Sequence, residues 1–241
     1  MGTYKGVCCK NKSVMQARSI LPNHKVKYIN IENLNLSWES KYTSWDELLN
    51  TTSTADENVE KVRIDLAAFY SRIAREYFRI CREEVKRIAP DQMYLGCRFS
   101  AEMMENEVLQ LLSQEYCDVI TFNIYNLLPV GFTTEIDKPV FIGEFHFGAL
   151  DRGMFHTGLW FAKDQDERAE LYKNFMLYSL GHPLIVGTHW FQYPAQPSTG
   201  RGDGENFQIG FADICDKPYP ELIEAIKSTG KNMYKIRYGS K

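Results

Sequence analysis

An α/β fold with a parallel sheet is what this sequence predicts. Short, continuously apolar runs of strand length alternate with longer segments of helical period, the pattern of strands buried on both faces and the helices that cover them. Each apolar run ends in polar or aromatic side chains: Arg98, Asn123 with Tyr125, Glu144 with His146, and His189 with Trp190. Neither a GxGxxG fingerprint nor a P-loop occurs, which weakens a nucleotide-binding reading.

The elements follow in order. Residues 1–25 are polar, basic and without period, and are expected to be poorly ordered, leaving 26–241 as the folded part. Val26 to Trp38, VKYINIENLNLSW, reads as a strand followed by a loop. Val59, Val62, Leu66, Phe69, Ile73, Tyr77, Ile80, Val85 and Ile88 recur at helical spacing until Pro90 ends the helix. MYLGCRF (93–99), DVITFNIY (118–125), PVFIGEF (139–145) and LIVGTHWFQY (184–193) read as further strands. Helices are expected around Val108–Leu112, over 166–180, and from YPELIEAIK onward.

Functional side chains at the ends of several different strands favour a (β/α)8 TIM barrel, since a doubly wound sheet gathers its ligand contacts at one switch point. About five strands are visible where a barrel needs eight, and a whole barrel takes roughly 250 residues. The predicted class is therefore an incomplete barrel, its C-terminal part.

Bulk properties exclude several functions. With 28 basic and 31 acidic residues the net charge is −3, giving no electrostatic case for nucleic acid or an anionic membrane. No apolar run is long enough to span a membrane, and the N-terminus lacks the apolar core of a signal peptide. Six scattered cysteines form no CxxC pair and read as reduced and structural. There is no HExxH or clustered His/Cys spacing for a metal and no GxSxG elbow, and no cofactor is expected. Aromatic residues at 13% suit either a large core or a sugar-binding cleft.

One stretch, PVFIGEFHFGALDRG (139–153), sets a carboxylate at the end of a run that reads as fully buried. A carboxylate there costs free energy unless it is paired, hydrogen-bonded or put to chemical use. GEFHFGALDRG, together with VGTHWFQYPAQPSTGRGDGENFQIGF (186–211), resembles the agarase-type retaining glycoside hydrolases, barrel enzymes with glutamates on strands four and seven. The resemblance covers approximately residues 56–228. It implies that this chain holds about strands four to eight, with the four apolar runs from Met93 onward as strands five to eight.

The same resemblance implies that Glu144 is the nucleophile of a double displacement on β-linked galactan, with Tyr125 hydrogen-bonding its carboxylate. Arg98 and Asn123 would orient the carboxylate or sugar hydroxyls. Trp190 would offer a flat face to a sugar ring, and His146 and His189 would bond hydroxyls at the rim. Glu205 and Asn206, after the glycine-rich turn, are further substrate contacts. The implied partner is a polysaccharide or oligosaccharide. Family members are exported, whereas this N-terminus shows no signal.

The general acid is the difficulty. The family carries it in a motif of the form Asp-Asn-Glu-Leu-Ser-Trp. Aligning Leu36-Ser37-Trp38 puts Asn35 at that position, and an amide has no proton to deliver. Glu32 lies three residues early, which flips the face of a strand unless the strand bulges. Either Glu32 acts after a local rearrangement, or the acid is lost, or residues 1–35 lie outside the original reading frame. Two functions follow: a galactan hydrolase with Glu144 and Glu32 as its catalytic pair, or a carbohydrate-binding remnant without turnover. A split enzyme awaiting a partner chain is a third possibility. An incomplete barrel would also expose strand edges that favour self-association.

Overall fold

The computed structural model describes residues 25–51 and 55–239; the segment 1–24, expected to be poorly ordered, lies outside the described residues. These residues divide into two compact units after Glu76.

The first unit contains helices α1 (Ile31–Trp38) and α2 (Trp45–Asn50) and the start of α3 (Glu60–Ile88). The expected strand over Val26–Trp38 is thus corrected to a helix. Asn30 caps it, its side chain accepting from the Asn33 backbone N–H at 2.8 Å. Ile31, Leu34 and Trp38 fall on one face at helical spacing and bury it with Tyr28 and Val62. Beneath them Asp65, only 4% exposed, accepts from Tyr28 Oη at 2.6 Å and Trp38 Nε1 at 2.8 Å and pairs with Lys27. Burial pushes the Asp65 carboxyl up, but these three donors outweigh it and hold the group below its usual range.

The second unit is the parallel α/β body. Strands β1 (Arg98–Phe99), β2 (Ile120–Asn123), β3 (Val140–Phe145) and β4 (Ile185–Trp190) form one sheet in the order β1-β2-β3-β4, every pair parallel. Helices α4 (Glu107–Tyr116), α5 (Gln165–Gly181) and α6 (Pro220–Tyr238) follow β1, β3 and β4. Four strands, not five, lie among the described residues, and each is shorter than its apolar run. No helix among them is long and apolar enough to cross a membrane.

Much of the aromatic excess is core. Phe145 stacks on Phe175 of α5 at 4.1 Å, and Phe78, Phe99, Phe122 and Phe132 form a chain of rings spaced 5.1 to 6.4 Å. Helix α5 begins with a capping box: Asp164 accepts from Glu167 N at 2.9 Å, and Glu167 reaches back to Lys163 N at 2.6 Å. From α5 the fully buried Arg168 donates Nε to Phe147 O at 2.7 Å, Nη1 to Gln165 Oε1 at 3.0 Å and Nη2 to Gly210 O at 2.7 Å. One guanidinium therefore ties the loop after β3 to the loop after β4. Short bridges fasten the same loops: Gly148 with Phe161, His156 with Phe207, and Pro194 with Ala212.

Candidate active site

The ends of β1, β2 and β3 bring two expected side chains, Arg98 and Tyr125, together on Glu144. Arg98 Nη1 donates to Glu144 Oε1 at 2.6 Å, and Tyr125 Oη donates to Oε2 at 2.6 Å. Both carboxylate oxygens are held, and the side chain keeps 21% of its exposure. Charge-assisted hydrogen bonds of this kind are short and fix the direction in which the carboxylate points.

A β-bulge makes the convergence possible. Phe122 pairs with Ile142, but Asn123 pairs with Glu144, so Gly143 is skipped. In an uninterrupted strand Phe141 and Glu144 would point to opposite faces; the extra residue returns Glu144 to the side of Arg98. Glycine is needed at the bulge, because a Cβ at 143 would lie 2.7 Å from Arg98 Cδ and 2.9 Å from Thr121 Cγ2. Asn123 Oδ1 is buried beside Gly143 and has no hydrogen-bond partner among the described residues. An orphan acceptor in the wall of a site is an opening for a water or a substrate hydroxyl.

The Tyr125 phenol is pushed far above its usual range, by burial first and then by its hydrogen bond to Glu144 and that group's charge. It therefore stays a donor to the carboxylate across the whole working pH range.

His146 is not at the rim. It is 1% exposed, its ring 4.7 Å from that of Tyr125, and both nitrogens are occupied. The Leu159 backbone N–H donates to Nε2 at 2.8 Å, which leaves the proton on Nδ1, 3.1 Å from the Phe191 carbonyl oxygen. No nitrogen is left for a sugar. Burial depresses its basicity, to a pKa of about 4 from 6.5. The unfolded chain then binds the extra proton between these values, so stability is full above about 6.5 and is lost as pH falls toward 4. The expected slope is about 1.4 kcal/mol per pH unit, with the weaker depression of His182 adding in the same direction. Urea unfolding at several pH values checks this; His146→Phe should flatten the slope.

Trp190 is half-buried and engaged in packing. Its Nε1 donates to Ile209 O at 2.7 Å, Phe211 stacks on it at 5.5 Å, and Arg168 lies 5.5 Å from its ring centroid. Phe145 and Tyr172 pack on its edges at 5.1 and 5.8 Å, so the indole belongs to the packing layer. His189 is exposed and stands edge-on to Phe141 at 4.6 Å.

The glycine-rich turn does reach the site. Glu205 accepts from Gln196 Nε2 at 2.8 Å and pairs with Arg201 Nη2 at 2.9 Å, while the Arg201 guanidinium lies 5.7 Å over the Phe191 ring. The hydrogen bond to Asp203 raises Arg201 most, with Glu205 and Glu144 adding to it, and Glu205 in turn acts on Tyr125. Asn206 is half-buried. Sequence reading missed Arg201, Gln196 and Phe191; the only signal was their place after the last strand.

Glu32 sits on the exposed side of α1 in its first turn. Asn35, which the sequence resemblance aligns with the family's acid, is spent on its own loop: Nδ2 donates to Tyr42 O at 2.7 Å, and Oδ1 accepts from Ser40 Oγ at 2.8 Å and Tyr42 N at 2.9 Å. These contacts are local to the first unit.

Comparison with known proteins agrees with the resemblance. No family model matches the chain. Beta-agarase B of Vibrio sp. (strain JT0107) is 38% identical over 229 residues, covering 92% of this chain and 24% of that protein. The crystal structure of an agarase, AgWH50C, superposes with a TM-score of 0.84 at 38% identity, covering 92% of this chain and 32% of that one. An exo-beta-agarase structure gives a TM-score of 0.84 at 35% identity over 93% of this chain and 31% of its own. The chain thus spans about a quarter of the length of its curated relative. Over nine-tenths of its own length, this chain is a homologue of one stretch of the beta-agarases.

Proposed function

We propose that this chain carries the nucleophile half of a retaining glycoside hydrolase site for agarose-type galactan. On this reading β1 to β4 are strands five to eight of a (β/α)8 barrel, and Glu144 attacks the anomeric carbon to form a glycosyl-enzyme. The observation that carries it is the double grip on Glu144 by Tyr125 and Arg98 from two neighbouring strand ends. A nucleophile must be aimed, and these two donors hold both oxygens of its carboxylate in place. Asn123, with its unsatisfied oxygen, and His189, on the exposed end of β4, are the nearest candidates for sugar hydroxyls; Glu205 and Asn206 form the opposite wall.

A second reading, carbohydrate binding without turnover, is favoured by the state of Asn35 and Glu32. Retention needs a carboxylic acid about 5–5.5 Å from the nucleophile. An activated aryl β-galactoside separates the readings, because its leaving group departs without protonation. The expected result is a covalent galactosyl adduct on Glu144, seen by mass spectrometry, and none in Glu144→Gln. Where agarose is also cleaved, Glu144→Gln should lower the rate on the order of 10^4-fold or more. Adduct formation with no agarose cleavage would assign the chain to the second reading, and no adduct at all would sink the nucleophile.

A further inference from the structure

We propose that His146 is a positioning residue that holds the Tyr125 hydroxyl on Glu144. Its meaning for catalysis rests on the nucleophile reading above, but its physical content does not.

A phenol that donates to a carboxylate is useful only if it cannot swing away, and the Tyr125 hydroxyl has no second anchor of its own. What holds the ring is its neighbour. The His146 imidazole stands 4.7 Å from the Tyr125 ring at an interplanar angle of 53°. That imidazole cannot rotate, because Leu159 N–H fixes Nε2 and the Phe191 carbonyl fixes Nδ1. Phe191 and Phe207 lie against it at 6.1 Å each. The fit is tight enough that a Cβ on Gly158 would come 2.6 Å from Nε2. Three segments distant in sequence thus meet on one ring, and the ring braces the phenol. In return the imidazole stays neutral, so it places no positive charge near Glu144. A lysine or a charged histidine there would lower the carboxyl directly; a neutral brace acts only through the hydrogen bond it maintains.

The charged and titratable groups that bear on the carboxylate are Arg98 from β1, Tyr125 after β2, and Arg201 and Glu205 from the loop after β4. Arg98, Arg201 and Glu205 make no contact with His146 in the bonds described, so removing the imidazole leaves their fields in place.

The experiment is a double-mutant cycle read on the Glu144 carboxyl itself. Protein labelled with 13C at the glutamate carboxyl carbons is titrated by NMR, the Glu144 signal being the one absent from Glu144→Gln. Tyr125→Phe should move the Glu144 titration to higher pH, because the carboxylate loses one hydrogen-bond donor. His146→Gln, which keeps an amide but loses the ring, should produce most of the same rise. The double variant Tyr125→Phe/His146→Gln should titrate like Tyr125→Phe alone. Shifts that add, or an unmoved Glu144 in His146→Gln, would overturn the proposal and leave His146 a packing residue. If His146→Gln does not fold, His146→Leu, which fills part of the space but has neither the ring nor its anchors, takes its place in the same cycle. No substrate is needed, so failure here is distinct from failure to form a glycosyl-enzyme.

Discussion

Gly148→Ala is expected to destabilise the second unit by at least about 3 kcal/mol, beyond the usual range for one added methyl in a packed core. Gly148 donates its N–H to Trp160 O at 3.0 Å and accepts from Ala162 N at 2.8 Å, clamped against the returning strand of its own loop. A methyl group built there would overlap the Thr157 carbonyl, lying 2.6 Å from its carbon and 2.9 Å from Gln208 O. These are backbone atoms of two different loops, so no rotamer change relieves the overlap. Glu144 lies four positions earlier, and the displaced loop also carries the Leu159 N–H that locks His146. Urea unfolding measures the loss, and Gly153→Ala, at a glycine with nothing within 4 Å, serves as the steric control. Because Gly153 itself has a positive φ of 92°, its own strain sets the baseline to subtract.

Arg168→Met should cost a similar amount, about 3 kcal/mol, for an electrostatic rather than a steric reason. Methionine fills much of the volume and removes a desolvated charge, which by itself favours the variant. Against this, the Phe147 and Gly210 carbonyls and the Gln165 amide oxygen lose their donors in a site no water reaches. Each buried acceptor left unmet costs about 1–3 kcal/mol, and two cation–π contacts, to Trp190 and to Tyr219 at 5.1 Å, go as well. Arg168→Lys should recover little, since one ammonium cannot span three acceptors lying in different directions. Burial already lowers the Arg168 guanidinium to about 10, yet it stays charged at neutral pH. Chemical denaturation at pH 7 checks the loss, with Arg87→Met, an exposed residue paired to Glu84, expected to change little.

What was legible in the sequence was the part set by period and by chain punctuation. The four apolar runs marked the strands, and the carboxylate and phenol at their ends were found in contact, as the strand-end pattern suggested. Val26–Trp38 reads as a strand because its first residues, Val26, Tyr28, Ile29 and Ile31, are β-branched or aromatic. The decisive spacing was Ile31, Leu34 and Trp38, opened by an asparagine cap. Trp190 was ambiguous in principle. An aromatic at a strand end packs inward or outward according to register, and the register of β3 on β4 shifts twice before Trp190. His146 looked like a ligand for sugar because histidine so often is one; only coordinates reveal that two main-chain groups have already claimed it. Arg168 could not have been found, since a charge within a helix is read as surface, and two of its three acceptors come from loops more than twenty residues to either side.

The bridges that fasten the loops together also dictate an order of events during folding. His156 pairs with Phe207, and Gly148 packs against Gln208, so neither contact exists until the last third of the unit has been made. The strands and helix α5 depend on nearer neighbours and need not wait. A nascent chain is therefore expected to acquire its scaffold first and the loops at the strand ends last, because closing the longer loops costs entropy that only the final contacts repay. Until residue 207 leaves the ribosome, Glu144 sits on a finished strand with its surroundings still open.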